Sequence, residues 1–264
     1  MDLKLENKLA FVSGSTAGIG FAIAQGLAAE GARVIVNGRT EKRVQEAVSA
    51  IRGANPAALL EPLVADLGRI QGVSEAVKRF PDADILVNNL GVYVPQPFEK
   101  ITDADWLAMI ETNFLSGVRL SRHYLPRMKA KNWGRIIFIS SESAVNIPVE
   151  MIQYGVTKTM QVALASGLAA TTSGTGVTVN SVLAGPTRSE GVEVFISDMA
   201  KGRGITAAAV EKEFFKSVRP NSLLQRFETP EEVASMVTYL ASPLASATNG
   251  AAVRAEGGVV RSIL

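Results

Sequence analysis

The chain has 264 residues, of which 47% are hydrophobic and 20% are charged, and its formal net charge at neutral pH is +2. This composition is typical of a well-packed globular protein, and a single α/β domain commonly reaches this length. The small net charge, with no basic run, argues against nucleic acid as a partner, and the lack of any apolar run of about 18 residues argues against a membrane span.

The sequence contains no cysteine and a single histidine, His123. Disulfide bonds, thiolate nucleophiles and cysteine-ligated metals are therefore excluded, and a site built from several histidines cannot form. A Ser-His-Asp site would have to use His123, but a lone histidine on a helix is more often a surface or packing residue. We therefore expect no metal site, and the acid–base chemistry must rest on other side chains.

The first predicted unit is a strand, a glycine turn and a helix. The apolar run Leu9–Val12 predicts a buried parallel strand, and the spacing of apolar residues in Phe21–Glu30 predicts a helix lying on a sheet. Three glycines lie between them, at Gly14, Gly18 and Gly20. Glycine turns also occur for steric reasons alone. The flanking strand and helix favour a dinucleotide-binding unit, in which a pyrophosphate approaches the backbone N–H groups at the helix start.

Strands and helices alternate along the rest of the chain. The predicted strands are Leu9–Val12, Val34–Val36, Pro62–Ala65, Ile85–Asn88, Arg135–Ser140, Val177–Leu183 and Ala252–Ala255. The predicted helices include Phe21–Glu30, Glu41–Arg52, Arg69–Phe80, a helix from Thr102 to about Lys131, Tyr154–Thr172 and one that begins at Thr229. This alternation predicts an α/β, doubly wound Rossmann fold, with a mostly parallel seven-stranded sheet flanked by helices on both faces.

The segment 185–222 interrupts the alternation, because it is long and rich in glycine and serine. Segments of this length in compact domains are usually functional or mobile. We expect one domain over residues 1–264, with a substrate lid at about 186–222.

Tyr154 and Lys158 occupy positions i and i+4 of a predicted helix and therefore share one face. A nearby cation favours the ionised phenol, so we expect Lys158 to lower the pKa of Tyr154 toward the working range. Tyrosine would then replace the histidine that this chain lacks. The alternative is a Tyr/Lys pair on a solvated helix face. The glycine turn and a serine thirteen positions before Tyr154 favour the functional interpretation.

Together these motifs resemble the short-chain dehydrogenase/reductase family over essentially the whole chain. The matching residues are Gly14, Gly18, Ile19 and Gly20, Asp66, Asn88-Asn89-Leu90-Gly91, Asn113, Ser141, Tyr154, Lys158, Asn180 and Gly185-Pro186. The resemblance implies that Tyr154 is the general acid/base and that Ser141 holds the substrate oxygen. It also implies that Lys158 binds the nicotinamide ribose, and that Asn113 holds a water relaying protons to Lys158.

Several assignments within this resemblance have alternatives. Ser140, Ser141 and Ser143 are close together in the sequence, and only the family spacing selects Ser141. Strand alternation points Ser140 and Ser141 to opposite sides, so these two are not expected to share the role. Asn113 has the alternative of an ordinary polar helix residue, and Asp66 that of a helix cap. The sequence also departs from the family pattern at three positions, Leu90, Ala184 and Ser189, each a small change of size or rigidity.

The resemblance implies a cofactor site assembled from strand ends along one edge of the sheet. Its candidate residues are Gly14, Ser15, Thr16, Gly18, Ile19, Gly20, Arg39, Asp66, Leu67, Asn88, Leu90, Gly91, Tyr154, Lys158, Gly185, Pro186 and Thr187. An NAD site needs a carboxylate at the end of the second strand, where this chain has Gly38 followed by Arg39. Because arginine pairs with a phosphate bidentately, we predict NADP as the cofactor.

The substrate is expected to be a small ketone or secondary alcohol with a hydrophobic body. The candidate substrate-binding residues are Ser141, Ser143, Tyr93, Val149, Met151, Ile152 and Phe195. The predicted activity is an NADP-dependent carbonyl reductase or alcohol dehydrogenase. One alternative is a 3-oxoacyl thioester reductase, which would need a basic cluster for an acidic carrier. Another is a nucleotide-sensing regulator on the same scaffold, a class that tends to lose the tyrosine or the lysine.

Two further expectations concern the whole protein. The resemblance implies a homodimer or homotetramer formed through the helices around Asn113–Lys131 and Met151–Thr172. The charged N-terminus lacks the apolar core of a secretion signal, which predicts a cytoplasmic protein.

Overall fold

The computed structural model describes residues 2–263, with the backbone alone for Phe195. The strands are β1 (Leu9–Val12), β2 (Arg33–Gly38), β3 (Leu60–Val64), β4 (Ile85–Asn88), β5 (Gly134–Ser141), β6 (Val177–Ala184) and β7 (Ala252–Ala255). They form one sheet in the order β3-β2-β1-β4-β5-β6-β7, and each neighbouring pair is parallel. The predicted seven-stranded Rossmann-type sheet is confirmed.

Helices connect the strands and cover both faces of the sheet. They are α1 (Gly18–Ala29), α2 (Glu41–Ala54), α3 (Ile70–Arg79), α4 (Asp103–Ile110), α5 (Ser116–Ala130), α6 (Ile152–Ala170), α7 (Glu190–Arg203), α8 (Ala207–Ser217) and α9 (Pro230–Ala241). Two start with the signals that the sequence carries. The side chains of Thr102 and Thr229 each cap a helix, and an acidic residue three positions later completes a capping box.

Two apolar layers hold the helices to the sheet. On one face, Ile23 and Leu27 of α1 pack with Val233 and Val237 of α9 over the central strands. On the other face, side chains of α3, α5 and α6 cover Phe11, Ile136 and Phe138, among others. Because both faces are covered, the central strands are apolar on both sides, which explains their continuous apolar runs. The sheet therefore fixes the positions of the strand ends at its carboxyl edge.

The structure differs from the sequence-based helix boundaries in one place that matters for function. The region predicted as one helix from Thr102 to Lys131 is broken by a π-helical turn, Glu111–Leu115, between α4 and α5. Such turns insert an extra residue and are frequent at functional sites. The spacing of apolar residues does not reveal a single residue inserted into a helix, so the sequence predicted one continuous helix.

The 185–222 segment contains α7 and α8 and has a small apolar cluster of its own. Ile196 and Val210 pack there with the rings of Phe214, Phe215 and Phe227. The three rings lie 5.0–5.1 Å apart between centroids. The segment is thus a folded unit beside the sheet edge. Within residues 2–263, each helix is too short or too polar to cross a bilayer.

Candidate active site

The glycine turn after β1 is held by two asparagine side chains. Asn37, in β2, accepts from the Gly14 N–H at 3.0 Å and donates to the carbonyls of Leu63 and Ala65. Asn89, after β4, donates to the carbonyls of Ser13 and Gly14, both at 3.0 Å. Backbone groups of the turn are therefore fixed by neighbouring strands. Neither asparagine was predicted to brace the turn, although Asn89 belonged to the motif; the sequence analysis missed this role.

The turn needs glycine for two physical reasons. Gly14 and Gly18 have φ values of +62° and +54°, a conformation that side chains disfavour. A Cβ at Gly20 would lie 2.3 Å from the Gly14 carbonyl oxygen and 2.4 Å from Asn89 Nδ2. The start of α1 therefore packs against the turn, and the first N–H groups of a helix have no partner within the helix. This is the arrangement that binds a pyrophosphate.

The end of β2 has no room for an acidic side chain. A Cβ at Gly38 would lie 2.5 Å from the Thr16 methyl carbon. The next residue, Arg39, is exposed and makes no ion pair or hydrogen bond with any residue between 2 and 263. Arg43, on the first turn of α2, instead donates to Glu190 of α7 at 2.7 Å. Of the two arginines near this strand end, Arg39 is thus without a partner within residues 2–263, and Arg43 is paired.

The ends of β3 and β4 differ in what they offer a ligand. Asp66 is exposed and accepts from the Gly68 N–H at 3.1 Å, so it closes the turn before α3. The side chain of Leu67 is buried in the core, so only its backbone can face a ligand. Asn88 is also buried, and its amide donates to Ser121 of α5. Leu90 packs over Gly14: a Cβ added at Gly14 would lie 3.3 Å from Leu90 Cδ1.

Three serines follow one another at and beyond the end of β5, and their contacts separate them. The Ser140 hydroxyl donates to the Lys158 carbonyl at 2.9 Å, which commits it to the backbone of α6. Ser141 Oγ accepts from the Ser143 N–H at 3.1 Å and also contacts the phenol of Tyr154. The Ser143 hydroxyl is buried and donates to the Glu142 carboxylate. Of the three, Ser141 is the one beside Tyr154.

Tyr154 and Lys158 lie on the first two turns of α6, on the face toward β5. Lys158 is buried and donates to the Ile139 carbonyl at 2.7 Å, and its Nζ lies 5.5 Å from the centre of the Tyr154 ring. Burial lowers the pKa of Lys158 to about 8. Gly91 faces this lysine, since a Cβ there would lie 3.3 Å from Nζ.

The pKa of Tyr154 differs from the sequence-based expectation. The pKa is raised to about 12, mainly by burial and in smaller part by the charge of the nearby Glu142 carboxylate, against the contact with Ser141, which lowers it. The expected lowering by Lys158 does not dominate, because that ammonium group is itself buried and is directed at Ile139. Tyr154 therefore stays protonated around neutral pH.

Asn113 lies in the π-helical turn, and its side chain is buried against the 92–93 loop and α6. Its amide donates to the Val92 carbonyl and to Thr157, and its oxygen accepts from the Val92 N–H at 2.8 Å. Its own carbonyl accepts from the Gln161 amide at 2.5 Å, and Gln161 in turn accepts from Lys158 at 3.3 Å. A glutamine that the sequence analysis did not single out thus connects Asn113 to Lys158.

The loop after β6 is the last of the loops along the carboxyl edge of the sheet. Gly185 donates to the Glu228 carboxylate at 3.3 Å, and Thr187 pairs with the Glu228 backbone as an isolated bridge. Burial raises the pKa of Glu228 to about 7. Ser189 caps the start of α7, and its Cβ lies 3.6 Å from where a Cβ of Gly18 would be. The loop and the glycine turn are therefore close neighbours.

The predicted substrate-binding residues form a largely apolar and open wall. The Tyr93 ring stands edge-on to Tyr154, with 6.1 Å between centroids, and Met151 and Ile152 are half-buried at the start of α6. Val149 is 81% exposed, so it lies at the rim. The side chain of Phe195 lies outside the described part of the chain.

A buried ion pair beside Ser141 was not foreseen from the sequence. Arg219, which follows α8, donates through Nε to Glu142 Oε1 at 2.8 Å and through Nη1 to Glu150 at 3.4 Å. Glu142 and Arg219 are both buried. The only hint in the sequence was the charge of Glu142 directly after a serine on a buried strand. Their separation by 77 residues gives no sequence signal.

Together these groups fit a nicotinamide dinucleotide. Glycine at positions 20, 91 and 185 lets the backbone pack closely at this edge, because a Cβ there would lie 2.3 Å from the Gly14 carbonyl oxygen, 3.3 Å from Lys158 Nζ and 2.8 Å from Glu228 Oε1. The residues that would hold the ligand lie along one carboxyl edge of the sheet, which is where ligands of open α/β sheets bind.

Comparison with known proteins agrees with this geometry. A family model described as short chain dehydrogenase matches residues 8–199. An uncharacterized oxidoreductase of Bacillus subtilis, YvaG, is 47% identical over 263 residues, covering 100% of both chains. A 3-oxoacyl-[acyl-carrier-protein] reductase of Aquifex aeolicus is 30% identical, covering 98% of this chain and 100% of its own.

Among solved structures, L-sorbose reductase of Gluconobacter frateurii, complexed with NADPH and L-sorbose, superimposes with a TM-score of 0.93. It is 28% identical, and the match covers 100% of both chains. The family model and the full-length relatives thus identify the same family. The chain therefore belongs to the short-chain dehydrogenase/reductase family and is a nicotinamide-dependent oxidoreductase acting on CH–OH and C=O groups.

Proposed function

We propose that this protein reduces a ketone with NADPH and that Tyr154 donates the proton. The observation that carries the proposal is the contact of the Ser141 hydroxyl with the Tyr154 phenol, one helical turn from Lys158. Two hydroxyl groups converging on one point can hold a carbonyl oxygen and protonate it. When bound, the reduced nicotinamide supplies the hydride for the carbonyl carbon.

Each member of the group has a distinct part in this step. The Ser141 hydroxyl orients the carbonyl oxygen, and the Tyr154 phenol transfers its proton to that oxygen as negative charge develops there. A pKa of about 12 suits this direction, because Tyr154 remains protonated and ready to donate at neutral pH. Lys158, charged below its pKa of about 8, stabilises the phenolate that remains.

The choice of NADPH rests on the end of β2. The Thr16 methyl carbon occupies the space that a carboxylate-bearing side chain at position 38 would need. Arg39 is exposed and unpaired within the described chain, so its guanidinium is available to a 2′-phosphate. The NADPH complex of L-sorbose reductase supports the same choice.

The two alternative functions are less well supported. A 3-oxoacyl thioester on an acidic carrier would need free basic groups, but Arg188 pairs with Glu193 and Glu211, and Arg203 pairs with Glu213. Both arginines are therefore neutralised. A nucleotide-sensing regulator would have no need for the Tyr154–Ser141 contact or for a lysine buried beside it.

The 185–222 segment is proposed as the cover of the substrate pocket, because Arg219 and Glu190 tie it to the walls of the cleft.

We propose a homodimer or homotetramer through α5 and α6. Small exposed residues on α6, among them Ala163, Ser166 and Gly167, support close packing of another helix there. Light scattering tests the assembly, and a mass of one chain would contradict it.

The reaction is tested by initial rates of NADPH and NADH oxidation with a panel of small ketones and 3-oxoacyl thioesters. We expect NADPH-dependent reduction of at least one ketone, with NADH at least tenfold less effective. Tight NADPH binding without turnover of any ketone would favour the regulatory alternative. Turnover of thioesters alone would favour the acyl reductase.

A further inference from the structure

The ammonium group of Lys158 is buried and is held by neutral groups. Its Nζ donates to the Ile139 carbonyl at 2.7 Å and to Gln161 Oε1 at 3.3 Å. Within the described part of the chain, Lys158 forms no ion pair. Burying a cation without an anion is costly unless hydrogen bonds compensate. These two oxygens therefore stabilise the charged form of Lys158 and fix the position of its Nζ.

Gln161 is the one side chain among these two acceptors. It is buried, and it lies three positions after Lys158 on the same face of α6. Its amide orientation is fixed from both ends, because an ammonium group only donates and a backbone carbonyl only accepts. Oε1 must therefore face Lys158, and Nε2 donates to the Asn113 carbonyl at 2.5 Å. The amide thus bridges the lysine and the π-helical turn.

The side chain of Asn113 does not make this connection itself. Its amide donates to the Val92 carbonyl and to Thr157, and its oxygen accepts from the Val92 N–H. Only its backbone carbonyl is directed toward Lys158, and it reaches the lysine through Gln161. Gln161 therefore connects the π-helical turn to the ammonium group.

We propose that Gln161 is a positioning residue for the reduction, which keeps the Lys158 ammonium charged and in place one helical turn from Tyr154. An amide keeps its N–H protons at neutral pH, so Gln161 acts on the charge and position of Lys158 and carries no proton. This inference rests on the proposed function, in which Lys158 stabilises the Tyr154 phenolate. It adds to that function the group that controls the lysine.

The pH dependence of the reduction reports this role. Burial lowers the pKa of Lys158 to about 8, and loss of the acceptor on Gln161 should lower that pKa further. Gln161 makes its hydrogen bonds to Lys158 and Asn113. A shift of the profile in Gln161 variants is therefore assigned to Lys158. The other titratable groups around the pair are Tyr154 itself, Tyr93, Glu142 and Arg219, while Glu111 of the π-helical turn is directed at Arg119.

The test measures kcat at saturating NADPH against pH, with the ketone of the panel that wild type reduces fastest, 2,3-butanedione being tried first. The wild-type rate should fall with a midpoint at about pH 8, as Lys158 loses its proton. Gln161→Met has a similar size and no amide oxygen, so its midpoint should lie about one pH unit lower. Gln161→Glu places a carboxylate beside the ammonium, so its midpoint should rise by about one pH unit.

Gln153→Met is the matched control, because Gln153 is the other buried glutamine of α6 and makes no hydrogen bond to Lys158. Its midpoint should equal that of wild type. Opposite shifts in Gln161→Met and Gln161→Glu distinguish control of the lysine from a purely structural role, which has no reason to change sign with the charge at position 161.

A second measurement does not depend on catalysis. The hydrogen bond to Gln161 stabilises the folded chain most while Lys158 is charged. The loss of unfolding free energy in Gln161→Met relative to wild type, measured in urea, should therefore be larger at pH 6 than at pH 9.

An unchanged or raised midpoint in Gln161→Met would overturn the inference, and so would an equal shift in Gln153→Met. A midpoint in Gln161→Glu that does not rise would overturn it as well, and it decides the question if Gln161→Met does not fold. If no ketone were reduced with NADPH, the proposed function would fail. The unfolding measurements would then still test whether Gln161 holds the charge of Lys158, and an equal loss at pH 6 and pH 9 would contradict it.

Discussion

The glycine turn and the 185–222 segment lie on either side of the same cleft, and different forces hold them. The backbone of the turn is fixed by neutral hydrogen bonds, which Asn37 accepts and Asn89 donates, within the edge of the sheet. Three ion pairs join the 185–222 segment to the rest of the described chain, Arg43–Glu190, Arg219–Glu150 and Arg219–Glu142, and only in the last are both side chains buried. Exposed pairs contribute little to stability, so Arg219–Glu142 is the ion pair that anchors the segment, beside the Thr187–Glu228 bridge and the packing of Phe227. The cofactor side is thus held by neutral hydrogen bonds within the sheet edge, and the substrate side by one buried ion pair and a few backbone and apolar contacts.

The first way to test this difference is to remove that anchor with Arg219→Met. Leaving Glu142 buried and uncompensated should lower the free energy of unfolding by about 3–5 kcal/mol. Arg226→Met is the matched control, because Arg226 pairs with Glu232 on the surface, where both side chains are about half exposed. Arg226→Met should lower the free energy of unfolding by less than about 1 kcal/mol. Urea unfolding measures both, and equal losses would show that the buried pair is not the anchor.

The glycine turn can be broken at Gly20. In Gly20→Ala, the new methyl group would collide with the Gly14 carbonyl and the Asn89 amide, so the turn must open. We expect the Kd for NADPH, measured by fluorescence titration, to rise about 100-fold, or about 3 kcal/mol. Gly53→Ala is the control, since no atom lies within 4 Å of its Cβ position. An unchanged Kd in Gly20→Ala would mean that the turn does not contact the cofactor.

The cofactor choice can be sharpened at Arg39. Arg39→Ala should lower kcat/KM for NADPH by about 10- to 50-fold, the value of a charge-assisted bond to a phosphate, and leave kcat/KM for NADH unchanged. Arg43→Ala should have a smaller effect, because Arg43 is already paired with Glu190. A parallel loss with both cofactors would show that Arg39 does not recognise the 2′-phosphate.

The smallest effect concerns the pH dependence of the loop after β6. Burial raises the pKa of Glu228 to about 7, whereas an unfolded glutamate titrates near about 4.3. Folding therefore disfavours the ionised form, and the penalty grows as the pH rises from about 4.3 and levels off above about 7. The stability of Glu228→Gln relative to wild type should therefore increase by about 2–3 kcal/mol between pH 5 and pH 8.

Glu231→Gln, at an exposed position in the first turn of α9, is the control for this titration and should show no such trend. Thermal unfolding at several pH values measures both variants. If the free energy of unfolding of Glu228→Gln differed from that of wild type by the same amount at every pH, burial would not disfavour the ionised form of Glu228.

The sequence predicted the sheet and the cofactor edge well because their signals are local. Apolar runs marked the strands, and the glycine spacing marked the turn after β1. The choice of Ser141 over Ser140 rested on the spacing of the family motif, and strand alternation indicated only that the two serines do not share the role. In the structure, the Ser140 hydroxyl donates to the backbone of α6. The bracing roles of Asn37 and Asn89 were missed, because each depends on a neighbouring strand that lies far away in the chain.

The substrate side was predicted less well because its contacts are between distant segments. The sequence marked 185–222 as an interruption and a substrate lid, whereas the bounds of α7 and α8 and the contacts of their aromatic cluster came from the structure. The Glu142–Arg219 pair joins residues 77 positions apart, so no spacing rule reaches it. The pKa of Tyr154 was expected to fall, and burial raises it instead, because the degree of burial is a property of packing.

The central claim is that Tyr154 donates the proton that completes ketone reduction. Its most direct test is a single turnover, in which enzyme loaded with NADPH is mixed with excess ketone and the nicotinamide absorbance is followed. Tyr154→Phe should bind NADPH as wild type does and oxidise it at least about 1000-fold more slowly, within the range for loss of a general acid. Tyr239→Phe, on α9, should react at the wild-type rate. Oxidation at the wild-type rate in Tyr154→Phe would contradict the account.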